Sequence, residues 1–264
     1  LDLCLWGKST ECGVLENPWC EPPDDAYNWV TRIEQAPDKR TYVELEFEKG
    51  VPVALNGIRM PIILLIEKLN IIGSKNGVGY TDMMENRLVG IKSRETYEAP
   101  AAEIIIKAHR DLETLVFTRD TFHFKQVVEQ RFSELIYDGL WHSELRRCLQ
   151  AFVEETQKKV TGTVRLKLYK GNCVVVGRKS PNALYRQELA TYDTGDMFDH
   201  SAAEGFIKLW GLSAQTDALV AQRNKKPAAA PAKKAAPKKK TVKKAAPKAK
   251  AANKPAPKKK GKKA

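Results

Sequence analysis

Apolar and polar residues alternate strictly over residues 42–48, where Val43, Leu45 and Phe47 face one way and Glu44, Glu46 and Glu48 the other. A period of two belongs to a strand with one covered and one wet face. The alternation resumes after Lys49-Gly50 in Val51, Val53 and Leu55, which predicts an antiparallel hairpin. A second hairpin is predicted over residues 163–178. There Val164, Leu166 and Leu168 alternate with Arg165, Lys167 and Tyr169, and Lys170-Gly171-Asn172 turns the chain into a strand from Cys173.

Between the hairpins the period lengthens. Residues 61–72 open on a proline and repeat apolar side chains at Leu65, Leu69 and Ile72, which predicts a core helix stopped by Gly73. Residues 101–117 and 121–137 read as two more helices, and Ser143 caps a fourth running to about residue 159. A last helix is expected from Asp199 or Ser201 through Phe206, Leu209, Leu212 and Leu219 to about residue 222. Residues 13–23 cannot continue a helix through Pro18, Pro22 and Pro23, and are expected to form a loop anchored by Trp19, with a short helix from Asp24. Hairpins and helices in separate runs predict an α+β fold, an antiparallel or mixed sheet of hairpins packed with helices.

Composition changes the picture at one end only. Residues 225–264 hold 17 lysines and no acidic residue, so the formal charge of +13 becomes −4 when they are set aside. A pI near 9.4 therefore describes the tail and not the body. Lys, Ala and Pro repeat there without apolar periodicity, and burial cannot offset the roughly 1–2 kcal/mol per residue that ordering a backbone costs. We expect two parts: a folded domain over 1–222, and a disordered tail over 223–264 able to bind nucleic acid without sequence preference.

The longest apolar run is the five residues from Ile62 to Ile66, far short of the roughly 20 needed to span a bilayer, so no membrane segment is expected. The chain begins Leu1-Asp2-Leu3, with neither an initiator Met nor a signal pattern, and reads as cut from something longer. Cys4, Cys12, Cys20, Cys148 and Cys173 include no close CxxC pair, and no His lies among the first three. Reduced thiols in a cytoplasm are expected, and no metal site.

The nearest approach to a phosphate-gripping loop is residues 171–180. Its glycines are one residue too far apart, Arg178 stands where Lys belongs, and its β-branched middle reads as a strand. Gly77-Val78-Gly79 reads as a turn, and His109, His123, His142 and His200 fall on predicted helices or their ends. More suggestive is the polar cluster of Glu85-Asn86-Arg87, Lys92-Ser93-Arg94 and Tyr97-Glu98, in a segment of strand and loop between Gly79 and Pro100. Taken alone it reads as the surface of an ion-paired strand.

These residues carry a resemblance. Met84-Glu85-Asn86-Arg87-Leu88-Val89-Gly90-Ile91-Lys92-Ser93-Arg94, followed by Tyr97-Glu98-Ala99-Pro100, closely resembles the argininosuccinate synthase family. Leu5-Trp6-Gly7-Lys8-Ser9 with Gly13-Val14-Leu15-Glu16-Asn17-Pro18-Trp19 resembles the same family, as do the blocks from Thr161 to Asn172 and from Asp199 to Ile207. The likeness runs in order from about Leu1 to Leu212.

It implies an enzyme that adenylates the ureido oxygen of citrulline with ATP, as the magnesium complex, and lets the amine of aspartate displace AMP. It also implies that ATP and aspartate are bound mainly by an N-terminal domain that nothing here matches, and that a C-terminal helix joins subunits into a homotetramer. The citrulline contacts it implies are Ser9, Glu85 and Tyr97. A carboxylate suits an ammonium, and hydroxyls can donate or accept to orient a zwitterion. The chain departs from the family pattern at Cys12 and Ser74, where glycines are usual, and at Tyr80, where Arg is common. The alternative reading is a nucleic-acid-binding protein that works through its lysine-rich tail.

Overall fold

In the computed structural model the described residues are 2–191 and 197–225. The chain divides into two units, with the boundary in sequence between Phe198 and Asp199. The first unit runs through β1 (Asp2–Leu3), β2 (Lys8–Glu11), β3 (Thr41–Glu48), β4 (Val51–Leu55), β5 (Ile58–Arg59), α1 (Ile62–Lys75), β6 (Tyr80–Asn86), β7 (Lys92–Glu98), α2 (Pro100–Val116), α3 (Arg119–Tyr137), α4 (Glu144–Gln157), β8 (Gly162–Tyr169), β9 (Asn172–Lys179) and α5 (Gln187–Ala190). The second holds α6 (Ala202–Trp210) and α7 (Leu212–Lys225).

Both predicted hairpins form, β3 with β4 and β8 with β9. They join edge to edge because β3 pairs antiparallel with β8, setting Val43 opposite Leu166 and Leu45 opposite Val164, in the sheet order β5-β4-β3-β8-β9. The alternation noted in the sequence now has its cause. One face of this sheet, with Val43, Leu45, Phe47, Val164, Leu166 and Leu168, forms a core with Leu65 and Leu69 of α1 and Ile104, Ala108 and Leu112 of α2. Each Val, Leu, Ile or Phe among them contributes roughly 1.5–3 kcal/mol on burial. The fold is α+β, and its strand pairings are antiparallel throughout the described residues.

The second sheet, in the order β1-β2-β7-β6, carries the polar cluster. Its β6–β7 hairpin is one registered ladder, from Tyr80 opposite Glu98 to Asn86 opposite Lys92.

Three local expectations change. Gly73 does not stop α1, which continues to Lys75; a Cβ there would lie 2.7 Å from the Pro100 Cβ, so the glycine serves close packing of α1 on α2. Trp19 is not an anchor, being 95% exposed, and the loop is held instead by the buried Leu15 of a 3-10 turn, Gly13–Glu16. The terminal helix is two helices, broken after Trp210 at Gly211. Phe206 and Trp210 stack at 5.4 Å within α6. The expected tail lies outside the described residues, apart from Arg223, Asn224 and Lys225 at the end of α7.

Candidate substrate site on the second sheet

The register of β2, β6 and β7 decides which side chains share a face. Ser9 lies opposite Tyr97 and Glu11 opposite Glu95 across β2 and β7. Glu85 lies opposite Ser93 across β6 and β7. Since side chains of paired residues point the same way and alternate along a strand, Ser9, Glu11, Glu85, Ser93, Glu95 and Tyr97 belong to one face. All three residues implied by the resemblance are therefore brought together, although Ser9 and Glu85 stand far apart in the chain.

At the centre of that face the Tyr97 hydroxyl donates to Glu85 Oε1 and lies 3.0 Å from Glu95 Oε2. Burial pushes the Tyr97 phenol far above its ordinary range, and its hydrogen bonds to the two carboxylates push it further. It is therefore a donor, not a phenolate, at any physiological pH. Burial also raises the Glu95 carboxyl above the usual carboxylate value, with Glu85 and Glu11 adding to the rise while the Tyr97 bond and Arg87 oppose it. The Tyr137 hydroxyl at the end of α3 reaches Glu85 Oε2 at 3.5 Å. The Arg87 guanidinium bonds Ser93 Oγ at 2.8 Å, Glu95, and Glu11 Oε2 at 2.8 Å.

The opposite face is structural. Lys8 pairs with Glu98 at 3.0 Å. Glu98 also accepts the backbone N–H groups of Trp29 and Val30 at 2.7 Å and of Asn28 at 3.2 Å. Arg94 makes a bidentate pair with Asp82, at 2.8 and 2.6 Å, and donates to the Asn17 carbonyl at 2.8 Å. That pairing holds the Asp82 carboxyl below its ordinary value. Tyr80 packs on Tyr27 at 5.0 Å, with Arg32 over both rings. Ion pairs therefore occur on both faces, Lys8–Glu98 and Arg94–Asp82 on one and Arg87 with Glu11 and Glu95 on the other.

A pocket of about 310 Å³ opens beside Ser9 and Tyr97, walled by Leu3, Cys4, Trp6 and Ala99. A larger one, about 970 Å³, lies between β1 and α1 and is lined by Leu5, Trp29, Asn70 and Ile71. It contains none of Ser9, Glu85 and Tyr97, so size does not mark the polar site here.

Glu95, Glu11 and Tyr137 were missed from the sequence. The spacing Ser93, Glu95, Tyr97 carried the signal for Glu95, once the segment is read as a strand with a period of two. Tyr137 carried none. Residues 171–180 do not fit a phosphate grip: β9 spans Asn172–Lys179 and its backbone is committed to the ladder with β8. No nucleotide step is assigned to them.

Comparison with known proteins shows the family. Residues 1–217 match the model of the arginosuccinate synthase C-terminal domain. The chain is 54% identical to an argininosuccinate synthase of Ligilactobacillus salivarius over 86% of its own length and 56% of that protein. It is 56% identical to that of Listeria welshimeri over 83% and 54%, and 55% identical to that of Rubrobacter xylanophilus over 88% and 56%. The chain spans about half the length of these curated relatives. With a domain match covering most of its residues and identities above one half, the chain belongs to the argininosuccinate synthase family, whose C-terminal domain it contains.

Proposed function

We propose that this chain is the substrate-holding part of an argininosuccinate synthase, an AMP-forming ligase of arginine biosynthesis, and that its polar sheet face seats citrulline through Ser9, Glu85 and Tyr97. The observation that carries this reading is the meeting of Tyr97 with Glu85 beside Ser9. Arg87 binds the carboxylates of Glu11 and Glu95, whereas Glu85 bonds the hydroxyls of Tyr97 and Tyr137, so the face can accept a further cation at Glu85. The α-ammonium of an amino acid supplies one, Glu85 accepting its charge-assisted hydrogen bonds while the Ser9 and Tyr97 hydroxyls orient the ligand.

These groups position rather than transfer protons. In the reaction of such a ligase the ureido oxygen of citrulline attacks ATP and the aspartate amine then displaces AMP, steps that gain from orientation and charge stabilisation. ATP with its magnesium, and aspartate, are assigned to parts of the enzyme outside this chain, and α6 and α7 to assembly of a homotetramer. The alternative, nucleic-acid binding through residues 225–264, rests on composition alone.

Titration with L-citrulline tests the reading. Glu85→Gln keeps the shape but removes the charge, and is expected to weaken citrulline by about 1.5–3 kcal/mol, the range for a charged hydrogen-bond partner. Unchanged affinity rejects the site. The purified chain alone is expected to form no argininosuccinate from citrulline, aspartate and ATP, and measured turnover would contradict the assignment of ATP to other parts.

A further inference from the structure

We infer that Glu95 is a positioning residue of this site, holding the Tyr97 phenol when a ligand ammonium takes Glu85, and that Arg87 holds Glu95 in turn. The inference rests on the citrulline reading and extends it to residues that neither the resemblance nor the comparisons assign.

A phenol carries one proton, so Tyr97 donates to Glu85 or to Glu95 but not to both at once. Both carboxylates lie within reach of its oxygen, Glu85 in direct contact and Glu95 at 3.0 Å. Glu85 is the more open of the two, whereas Glu95 is buried at 7% exposure. An arriving ammonium therefore meets Glu85 and competes with the phenol for its oxygens. Glu95, on the same strand as Tyr97 and two residues away, offers the displaced phenol proton an acceptor without movement of the ring.

Glu95 can do this only if it is fixed. Its other oxygen, Oε1, is bound by Arg87, which lies just past β6 and also bonds Ser93 of β7 and Glu11 of β2. One guanidinium thus ties three strands, and its planar fork sets the Glu95 carboxyl toward Tyr97. A buried carboxylate without such a partner would be costly.

Two measurements on the full chain decide the matter. In the first, carboxyl ¹³C spectra of glutamate-labelled protein follow Glu95 through a pH titration, its resonance assigned by its loss in Glu95→Gln. Tyr97→Phe and Arg87→Gln are each expected to move the Glu95 midpoint upward, because each removes a stabiliser of the carboxylate. An unmoved midpoint in both overturns the linkage.

In the second, L-citrulline affinity is compared across variants. Glu95→Ala is expected to weaken binding about tenfold, and Glu95→Gln, whose single amide oxygen accepts from Tyr97 or from Arg87 but not from both, to recover part of the loss. Weakening by Glu85→Gln with none by Glu95→Ala overturns the inference and leaves the citrulline reading standing. No citrulline binding by the unaltered chain overturns the inference together with that reading, even if the Glu95 midpoint moves as expected.

Discussion

The Lys8 ammonium meets the Glu98 carboxylate at 3.0 Å with both side chains out of solvent, 3% and 2% exposed. The two are also strand partners, next to the pair of Ser9 and Tyr97, so one buried ion pair sets the register that brings the candidate ligand groups together. Glu98 further fixes the loop at Asn28, Trp29 and Val30 through backbone N–H groups.

Breaking this pair leaves a buried carboxylate without its cation, which costs about 3–5 kcal/mol in such settings. The backbone donors remain, so Lys8→Met is expected near the lower end, about 3 kcal/mol. A urea midpoint equal to that of the unaltered chain would contradict the role given to Lys8.

The backbone of Cys12 lies at φ +76° and ψ 178°, a region suited to glycine alone, the residue that the resemblance implies there. Such a residue costs of order 1–3 kcal/mol. Glycine loses roughly 0.5–1 kcal/mol more conformational entropy on folding, so Cys12→Gly is expected to stabilise by about 1 kcal/mol net. Chemical denaturation of the two proteins measures this directly, and a destabilised variant would count against strain at this position.

The raised Glu95 carboxyl predicts a pH dependence of stability. The folded protein binds this proton more tightly than the unfolded chain, so the stabilisation is complete below the ordinary glutamate value and is lost as pH rises through the raised one. As pH rises from the ordinary glutamate value of about 4, the unaltered chain should lose more stability than Glu95→Gln, which has no proton to lose. Parallel pH profiles of the two unfolding midpoints would show that Glu95 titrates normally.

Burial pushes the Cys173 thiol up to about 11, leaving roughly 0.3% thiolate or less at pH 8.5. Cys4 and Cys12 are exposed. Iodoacetamide should therefore modify both well before Cys173 in the folded chain, and the difference should vanish in urea. Equal rates before unfolding would reject the burial.

The exposed apolar side chains of α6 and α7, among them Ile207, Leu209, Trp210 and Leu219, fit an assembly surface. Removing residues 213–264 from the complete enzyme is expected to convert a tetramer into smaller species in sedimentation. A tetramer that survives the truncation assigns assembly elsewhere.

The sequence by itself determined two of the hairpins, β3–β4 and β8–β9, and most helix limits, because a period of two or of 3.6 is a local record of which face is buried. It placed Ser143 as a helix cap, and the cap accepts from the Arg146 N–H. Through its motif it also named Ser9, Glu85 and Tyr97. What it left to the tertiary structure was everything that depends on non-local pairing. The β3–β8 junction and the place of β7 between β2 and β6 follow from register over long separations, which no local pattern encodes. That register sorted one polar cluster onto two faces, with Ser9, Glu85 and Tyr97 on one and Lys8, Arg94 and Glu98 on the other. It brought Glu95, which Arg87 binds, against Tyr97, and α3 added Tyr137 beside Glu85. Gly73 shows the same limit at a single residue: its composition reads as a stop, but the space it leaves is filled by Pro100 and Ile104 of another helix.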